Sequence, residues 1–244
     1  MVHRILIVTA VAAEADSVSA GLGLGGPVVL PLPGGLALRR HADRVDVLVG
    51  GVGPAAVAAA TGTALAHGTL TGAPYGLVVS AGIAGGFQPA APVGSVVVSS
   101  AIVAADLGAE TPDGYLAVED LGFGRSVHAV PDALTGRITA ALGATPSYAL
   151  APVLTVSTVT GTARRAAELA ERHPTAAAEA MEGFGVAEAA AAYGVPVVEI
   201  RAVSNAVGPR DRAAWRIGEA LAALRHTFEL LGSTVLVEPW EPHA

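Results

Sequence analysis

The sequence predicts an α/β fold: a single domain with a central mixed, mainly parallel β-sheet flanked by helices. Short β-branched runs alternate with Ala-rich segments along the chain. The runs are almost continuously apolar, as in strands covered on both faces. Glycine-rich turns follow three of them, where a strand would hand over to what comes next. With 244 residues and 52% hydrophobic content, the chain can bury a sizeable core in one domain spanning 1–244. Aromatics are only 4%, so tight packing of Ala, Val, Leu and Gly is expected between helices and sheet.

The first run, "RILIVT" at 4–9, predicts a strand leading into a loop. Ala10-Val11-Ala12 behind it mimics a signal-peptide cleavage site, but the basic region is short and the apolar run ends early. A buried strand in a cytoplasmic protein is the expectation. "GLGLGGPVVLPLPGG" at 21–35 is a Gly/Pro-rich loop region with room for a short strand. "VDVLVG" at 45–50 predicts a strand, "PAAVAAATGTALAHG" at 54–68 a helix, and "GLVVSAG" at 76–82 and "GSVVVSS" at 94–100 two further strands. Residues 47–105 lack Asp, Glu, Lys and Arg, yet Gly and Pro break the segment too often for the about 20 helical residues of a membrane span. No membrane partner is expected.

"VLTVST" at 153–158 predicts a strand, and "TARRAAELAERH" at 162–173 and "TAAAEAMEGFGVAEAAAAYG" at 175–194 predict helices. "VPVVEIRAVS" at 195–204 is the last strand. In "DRAAWRIGEALAALRHTFELLG" at 211–232, Ile217, Leu221, Leu224, Phe228 and Leu231 share one helical face, with Asp211 placed to favour the N-terminus.

Much chemistry is ruled out by absence. A net charge of -7 and a pI near 5.4 oppose a nucleic-acid partner, which needs a basic footprint. There is no cysteine for a thiol nucleophile or thiolate metal site, and no lysine for a Schiff base or P-loop. The seven histidines are dispersed without ligand spacing, so neither metal nor cofactor is implied.

In parallel sheets ligands sit beyond the carboxyl ends of the strands. The three turns there are "GGVGPAA" at 50–56, "SAGIAGG" at 80–86 and "VTG" at 159–161. The first formally matches a dinucleotide fingerprint, but no acidic residue lies between Asp46 and Asp106 to hold a ribose. Close helix–strand packing explains it better. Carboxylates are more informative: Glu14 lies beyond the first strand and Glu182 in or beside a helix beginning, in an apolar run where a carboxylate is costly without partners or function. Glu179 and Glu188 are expected on a solvated helix face. Glu14 as a first-turn residue and Glu182 as an exposed one beside a glycine kink remain the plainer alternatives.

"AMEGFGVAEAA" followed by "VPVVEIRAVSN" resembles the Met-Glu motif and the following strand end of the purine nucleosidase and phosphorylase superfamily, which includes methylthioadenosine/S-adenosylhomocysteine nucleosidase. "GGVGPAAVAAATG" and "SAGIAGG" are similar to its glycine turns, in the same order, and the likeness covers roughly residues 4–225. It implies a nucleoside phosphorylase-like fold and a homo-oligomer acting on a purine nucleoside. It assigns Glu14 as the residue that activates water and Glu182 as the acceptor of ribose hydroxyls, with Met181 packed on the sugar. Ala81, Gly82, Ile83 and Ser204 fall in the family's binding segments.

"VSTVTGTA" and "AVSNAVGPRDRAAWRIGEAL" resemble the branch that removes hypoxanthine from an intermediate of the alternative menaquinone pathway. Asn205 stands where adenosine-type relatives carry an aspartate; its amide offers both a donor and an acceptor, suiting a 6-oxopurine leaving group. Hydrolysis is expected over phosphorolysis, since no Arg lies among the glycine turns and Glu14 would repel phosphate. A phosphorylase, or a nucleosidase for adenine nucleosides, is the alternative. Asp106 matches a family aspartate but is expected to be structural. Arg210 and Arg212 could pair with a substrate carboxylate, though a solvated helix beginning is the preferred reading.

Overall fold

The computed structural model describes residues 4–143 and 148–236. In chain order the elements are β1 (Arg4–Thr9), α1 (Ala12–Leu22), β2 (Val28–Pro31), β3 (Ala37–His41), β4 (Val45–Val49), α2 (Pro54–Leu70), β5 (Tyr75–Gly86), β6 (Val96–Ala104), β7 (Gly108–Thr111), β8 (Gly114–Ala117), β9 (Val127–Ala129), α3 (Asp132–Leu142), β10 (Tyr148–Thr155), α4 (Ala163–Arg172), β11 (Ala178–Ala180), α5 (Gly183–Ala192), β12 (Val197–Ala206) and α6 (Ile217–Gly232).

The most apolar runs take the centre of the sheet, as burial of both faces demands. β4, β1, β5 and β12 lie side by side and parallel, with Ile7 opposite both Val47 and Val79, and Val79 opposite Val198. Antiparallel β3 and β2 extend one edge. On the other side β12 meets β6 antiparallel, β6 meets β10 and β10 meets β11 in parallel, and β11 returns to pair antiparallel with β5 through Ala178–Gly86 and Glu179–Gly85. Five strands thereby close on themselves. Small residues fill this ring: Ala84, Ala91, Val97, Val153, Ala178, Ala180 and Val203 form a separate buried cluster. Helices cover the open part, α1 against α6 and α2 against α5. The expected mixed α/β sheet flanked by helices is therefore present.

Some elements differ from the sequence reading. Where the sequence predicts a loop after the first strand, residues 12–22 form α1, whose Ala15, Val18 and Leu22 repeat at helical spacing and are buried, and Glu14 lies in its first turn, the plainer alternative for that residue. The helix expected over 175–194 is split: 178–180 is a strand, and α5 begins only at Gly183. Ala and Glu have no strand preference, but pairing with both β10 and β5 overrides propensity. Glu179 therefore faces no solvent; it is buried, whereas Glu188 on α5 is half-exposed and paired with Arg125 and His128. The strand expected over 153–158 begins earlier and stops at Thr155. The last helix begins at Ile217, and Asp211 caps a 3-10 turn at Arg212–Ala214 instead, accepting from the Ala213 N–H at 3.1 Å. Leu224, Phe228 and Leu231 form its buried face, while Ile217 is exposed.

Candidate active site

Glu14 comes to the site because β1 ends where α1 begins. As the third helical residue it folds back over the helix start, as an acidic first-turn residue can. Its Oε2 accepts from the Ala10 and Val11 N–H groups at 3.0 and 3.2 Å, and its Oε1 from the Ile83 N–H at 2.9 Å. Glu14 is only 3% exposed. A carboxylate has about four acceptor positions. Three are taken by fixed backbone donors, so the group is held rigidly with capacity for one further donor, such as a water.

Glu182 is the N-cap residue of α5, directly after β11, and is buried. Its Oε1 accepts from the Gly53 N–H at 3.3 Å and its Oε2 from the Met181 N–H at 3.3 Å. Gly53 has φ +92, a conformation that favours glycine and turns its N–H toward this carboxylate at the start of α2. Gly185, one turn into α5, has no room for a Cβ because the backbone of Pro54 lies there. The two glycines thus seat the N-terminal ends of α2 and α5 together around Glu182.

Between the two glutamates lies a residue that the sequence reading did not select. Arg201, on β12, is 1% exposed. Its Nε donates to Glu199 Oε1 at 2.7 Å, its Nη2 lies 3.2 Å from Glu182 Oε2 and donates to Ser80 Oγ at 3.2 Å, and its Nη1 reaches the Ile83 carbonyl at 3.4 Å. A Cβ on Gly82 would lie 2.5 Å from Glu14 Oε1 and 2.6 Å from Arg201 Nη1, so these two groups converge over that glycine. Burial works against the charge of Arg201, but Glu199, Glu182 and Glu14 together outweigh it and hold the guanidinium protonated. No arginine occurs within the glycine turns, as expected, yet β12 delivers one beneath the second of them. Its charge is already engaged by carboxylates.

The signal for Arg201 and Glu199 was available in "VPVVEIRAVS". Two charges two residues apart in an apolar strand point to one face of a covered sheet and must be paired there.

Asn205 follows on the same strand, opposite Gly85, and is half-buried. Its Oδ1 accepts from Ser204 Oγ at 2.9 Å and its Nδ2 donates to the Ala206 carbonyl at 2.9 Å. Ser204 is buried, and the Ala84 carbonyl, 3.2 Å from its Oγ, is the alternative acceptor for its single hydroxyl proton. Four residues along a strand separate Arg201 from Asn205, about 13 Å. Ala81, Gly82 and Ile83 are in β5, beside Arg201, and Met181 is half-buried next to Glu182.

The segment 156–162 closes this end of the molecule. Glu179 accepts from the Thr160 N–H at 2.8 Å and from Thr160 Oγ1, and burial raises its carboxyl above the ordinary range. Asp106 accepts from the Ser157 N–H at 2.7 Å. Arg210 donates its backbone N–H to the Gly161 carbonyl at 3.2 Å, while the guanidinium groups of Arg210 and Arg212 lie over the Trp215 ring on an exposed segment. Among the described residues no group of three His, Asp or Glu side chains is arranged to hold a metal ion.

The family model of the phosphorylase superfamily matches residues 4–236. A futalosine hydrolase of Streptomyces coelicolor is 58% identical, covering 98% of this chain and 99% of its own length. One from Acidothermus cellulolyticus is 47% identical over 93% of this chain and 90% of its own length. Among solved structures, a 5'-methylthioadenosine/S-adenosylhomocysteine nucleosidase of Colwellia psychrerythraea in complex with adenine superimposes with a TM-score of 0.79 at 21% identity, covering 96% of each chain. A futalosine hydrolase mutant of Helicobacter pylori gives a TM-score of 0.79 at 16% identity over 94% of this chain and 98% of that one.

Proposed function

The chain belongs to the phosphorylase superfamily and, within it, to the futalosine hydrolases, and on that premise we propose that it hydrolyses the N-glycosidic bond of futalosine in the alternative menaquinone pathway, releasing hypoxanthine and dehypoxanthine futalosine. The observation that carries the reading is the convergence of Glu14 and Glu182 on Arg201 at the carboxyl end of the parallel strands.

Cleavage breaks the bond between the ribosyl carbon C1' and N9 of the purine and forms a bond from C1' to water oxygen. Positive charge grows on the ribosyl carbon and negative charge on the base. Glu14, held by three backbone amides, uses its remaining acceptor capacity to take a proton from the attacking water. Glu182 accepts the ribose hydroxyls and favours the positive charge beside it. Met181 packs on the sugar, and Ala81, Gly82 and Ile83 line its approach.

Asn205 turns its amide to the base, donating to O6 as negative charge grows there and accepting from N7–H once the departing hypoxanthine anion has taken a proton from solvent water, with Ser204 orienting it at 2.9 Å. Water is favoured over phosphate because three carboxylates surround the single guanidinium, leaving no uncompensated cation for an oxyanion.

The same reading makes the protein a cytoplasmic homo-oligomer with a nucleoside as its small-molecule substrate. β1 sits between β4 and β5, so cleavage after Ala12 would remove a central strand of the sheet. Exposed Leu107, Leu116, Phe123 and Val127 supply apolar surface for a second copy, near a cavity of about 660 Å³ bordered by Phe184. Light scattering on the purified chain tests the assembly.

The activity is tested by release of base from futalosine, inosine, methylthioadenosine and aminodeoxyfutalosine, with and without phosphate. Hypoxanthine released from futalosine without phosphate is the expected result. Adenine release in preference, or dependence on phosphate, would overturn the assignment of substrate or nucleophile.

A further inference from the structure

Glu199 has no part in the chemistry so far, yet it is the most deeply enclosed carboxylate of the site, at 0% exposure. It lies on the same face of β12 as Arg201, two residues earlier, with its backbone N–H fixed by Ser99 Oγ at 2.8 Å. One oxygen takes the Arg201 Nε–H at 2.7 Å; the other has no hydrogen-bond partner among the described residues. Burial pushes its carboxyl up and Arg201 pulls it back. A carboxylate enclosed with one oxygen unmatched is costly.

The space for this carboxylate comes from Gly183, the residue immediately after Glu182. A Cβ at Gly183 would overlap the Glu199 carboxyl group. Nothing in the backbone requires glycine there, since its φ is outside the left-handed region. Space sets the residue. The first turn of α5 is therefore built around two things at once: Glu182, which points to the sugar, and an opening for the group that holds the far end of Arg201.

We infer that Glu199 is a positioning residue for glycosidic cleavage, acting through Arg201, and that Gly183 is the opening in α5 that admits it. The guanidinium is a rigid planar fork, so fixing Nε fixes the directions of both Nη groups. With Nε on Glu199, Nη2 faces Glu182 and Ser80 while Nη1 lies over Gly82 beside Glu14. Arg201 then sets the separation of the water-activating and sugar-binding carboxylates without being pulled wholly onto either. The inference rests on the site roles proposed above.

The test is kcat and KM for hypoxanthine release from futalosine, together with Tm, for the wild type, Glu199→Gln, Glu199→Ala, Gly183→Ala and the Gly183→Ala/Glu199→Ala double variant. Glu199→Ala is expected to lower kcat at least tenfold with KM within about threefold of wild type. Glu199→Gln, whose amide oxygen still accepts the Nε–H, restores most of that loss. Gly183→Ala lowers kcat and Tm in the wild type but neither further in the Glu199→Ala background, because the group it strikes is gone.

Wild-type kcat in Glu199→Ala, a Gln variant as slow as the Ala variant, or additive losses in the double variant would overturn the inference. If Glu199→Ala fails to accumulate, wild-type kcat in Gly183→Ala overturns it, and a tenfold loss there with near-wild-type Glu199→Gln supports it. Failure of the wild type to release hypoxanthine would sink the substrate assignment instead. The Tm cycle still decides the pairing in that case: additive losses refute it and absent additivity supports it.

Discussion

Both ends of the parallel strands bury charge, and they do so with opposite balance. At the amino end, Asp46 is fully enclosed and accepts from Arg4 at 3.0 and 2.8 Å, from Arg40 at 3.1 and 3.3 Å, and from the Tyr75 hydroxyl at 2.6 Å. One carboxylate there has two guanidinium groups and a phenol. At the carboxyl end, one guanidinium has Glu14, Glu182 and Glu199 around it. The first cluster saturates its acid; the second leaves acid in excess. A fold needs only the former, whereas a reaction that develops positive charge on a sugar uses the latter. On the proposed function, the difference separates a cluster that holds strands together from one that acts on a substrate.

That contrast breaks most visibly at Glu14. Glu14→Gln keeps an acceptor for part of the backbone amide set but removes the proposed base; kcat for futalosine is expected to fall about 10²–10⁴-fold, with KM little changed. A variant retaining more than a tenth of wild-type kcat would remove Glu14 from the role of base. The reverse pattern is expected at the other end. Asp46→Ala strands Arg4 and Arg40 beside one another and should cost roughly 3–5 kcal/mol of stability, while folded protein keeps wild-type kcat/KM at 25 °C. Denaturant titration alongside steady-state kinetics separates the two effects, and a rate defect without a stability loss would contradict the division of labour.

Asn205→Asp sharpens the comparison, since it adds an acid to the end already rich in acid. The ratio of kcat/KM for futalosine to that for methylthioadenosine is expected to fall about tenfold or more, equivalent to roughly 1.4 kcal/mol of discrimination. An unchanged ratio would detach Asn205 from base choice. The smallest effect is expected at Arg212→Ala. Its guanidinium lies over Trp215 on an exposed segment, and KM for futalosine should stay within about twofold of wild type, as for most surface charges. A selective rise in KM would give it the substrate carboxylate.

The central strands were legible because each is an apolar run longer than any competing pattern, and the parallel sheet follows from helices alternating with them. α1 was not, because its polar face follows directly on the apolar run of β1 and the boundary carries no Ser, Thr, Asp or Asn cap. β11 was hidden for a different reason: "AEA" has no local preference for a strand and becomes one only through partners on both sides. In the site, Glu14 and Glu182 stood out as carboxylates among apolar residues. Arg201 and Glu199 were equally conspicuous by that measure, and what concealed them was that each supplies the other's partner, so neither looks unpaired in sequence. Glu179 goes with its strand: a glutamate at helical spacing reads as solvated, and pairing of β11 on both sides buries it.

The closing of five strands through β11 also has a kinetic side. Glu182 follows the segment that completes the ring, and its partner Gly53 is 129 residues away, while β11 meets β5 across a shorter but still long stretch of chain, from Gly86 to Ala178. Contacts of such separation form late and slowly, because loop-closure entropy is spent before they return any stabilisation. A chain with its first βα units in place but the ring still open holds Glu14 at the end of β1 without the opposing acid. Catalytic competence is therefore expected only once these long-range pairings are complete, and recovery of activity after dilution from denaturant should lag behind recovery of helical signal.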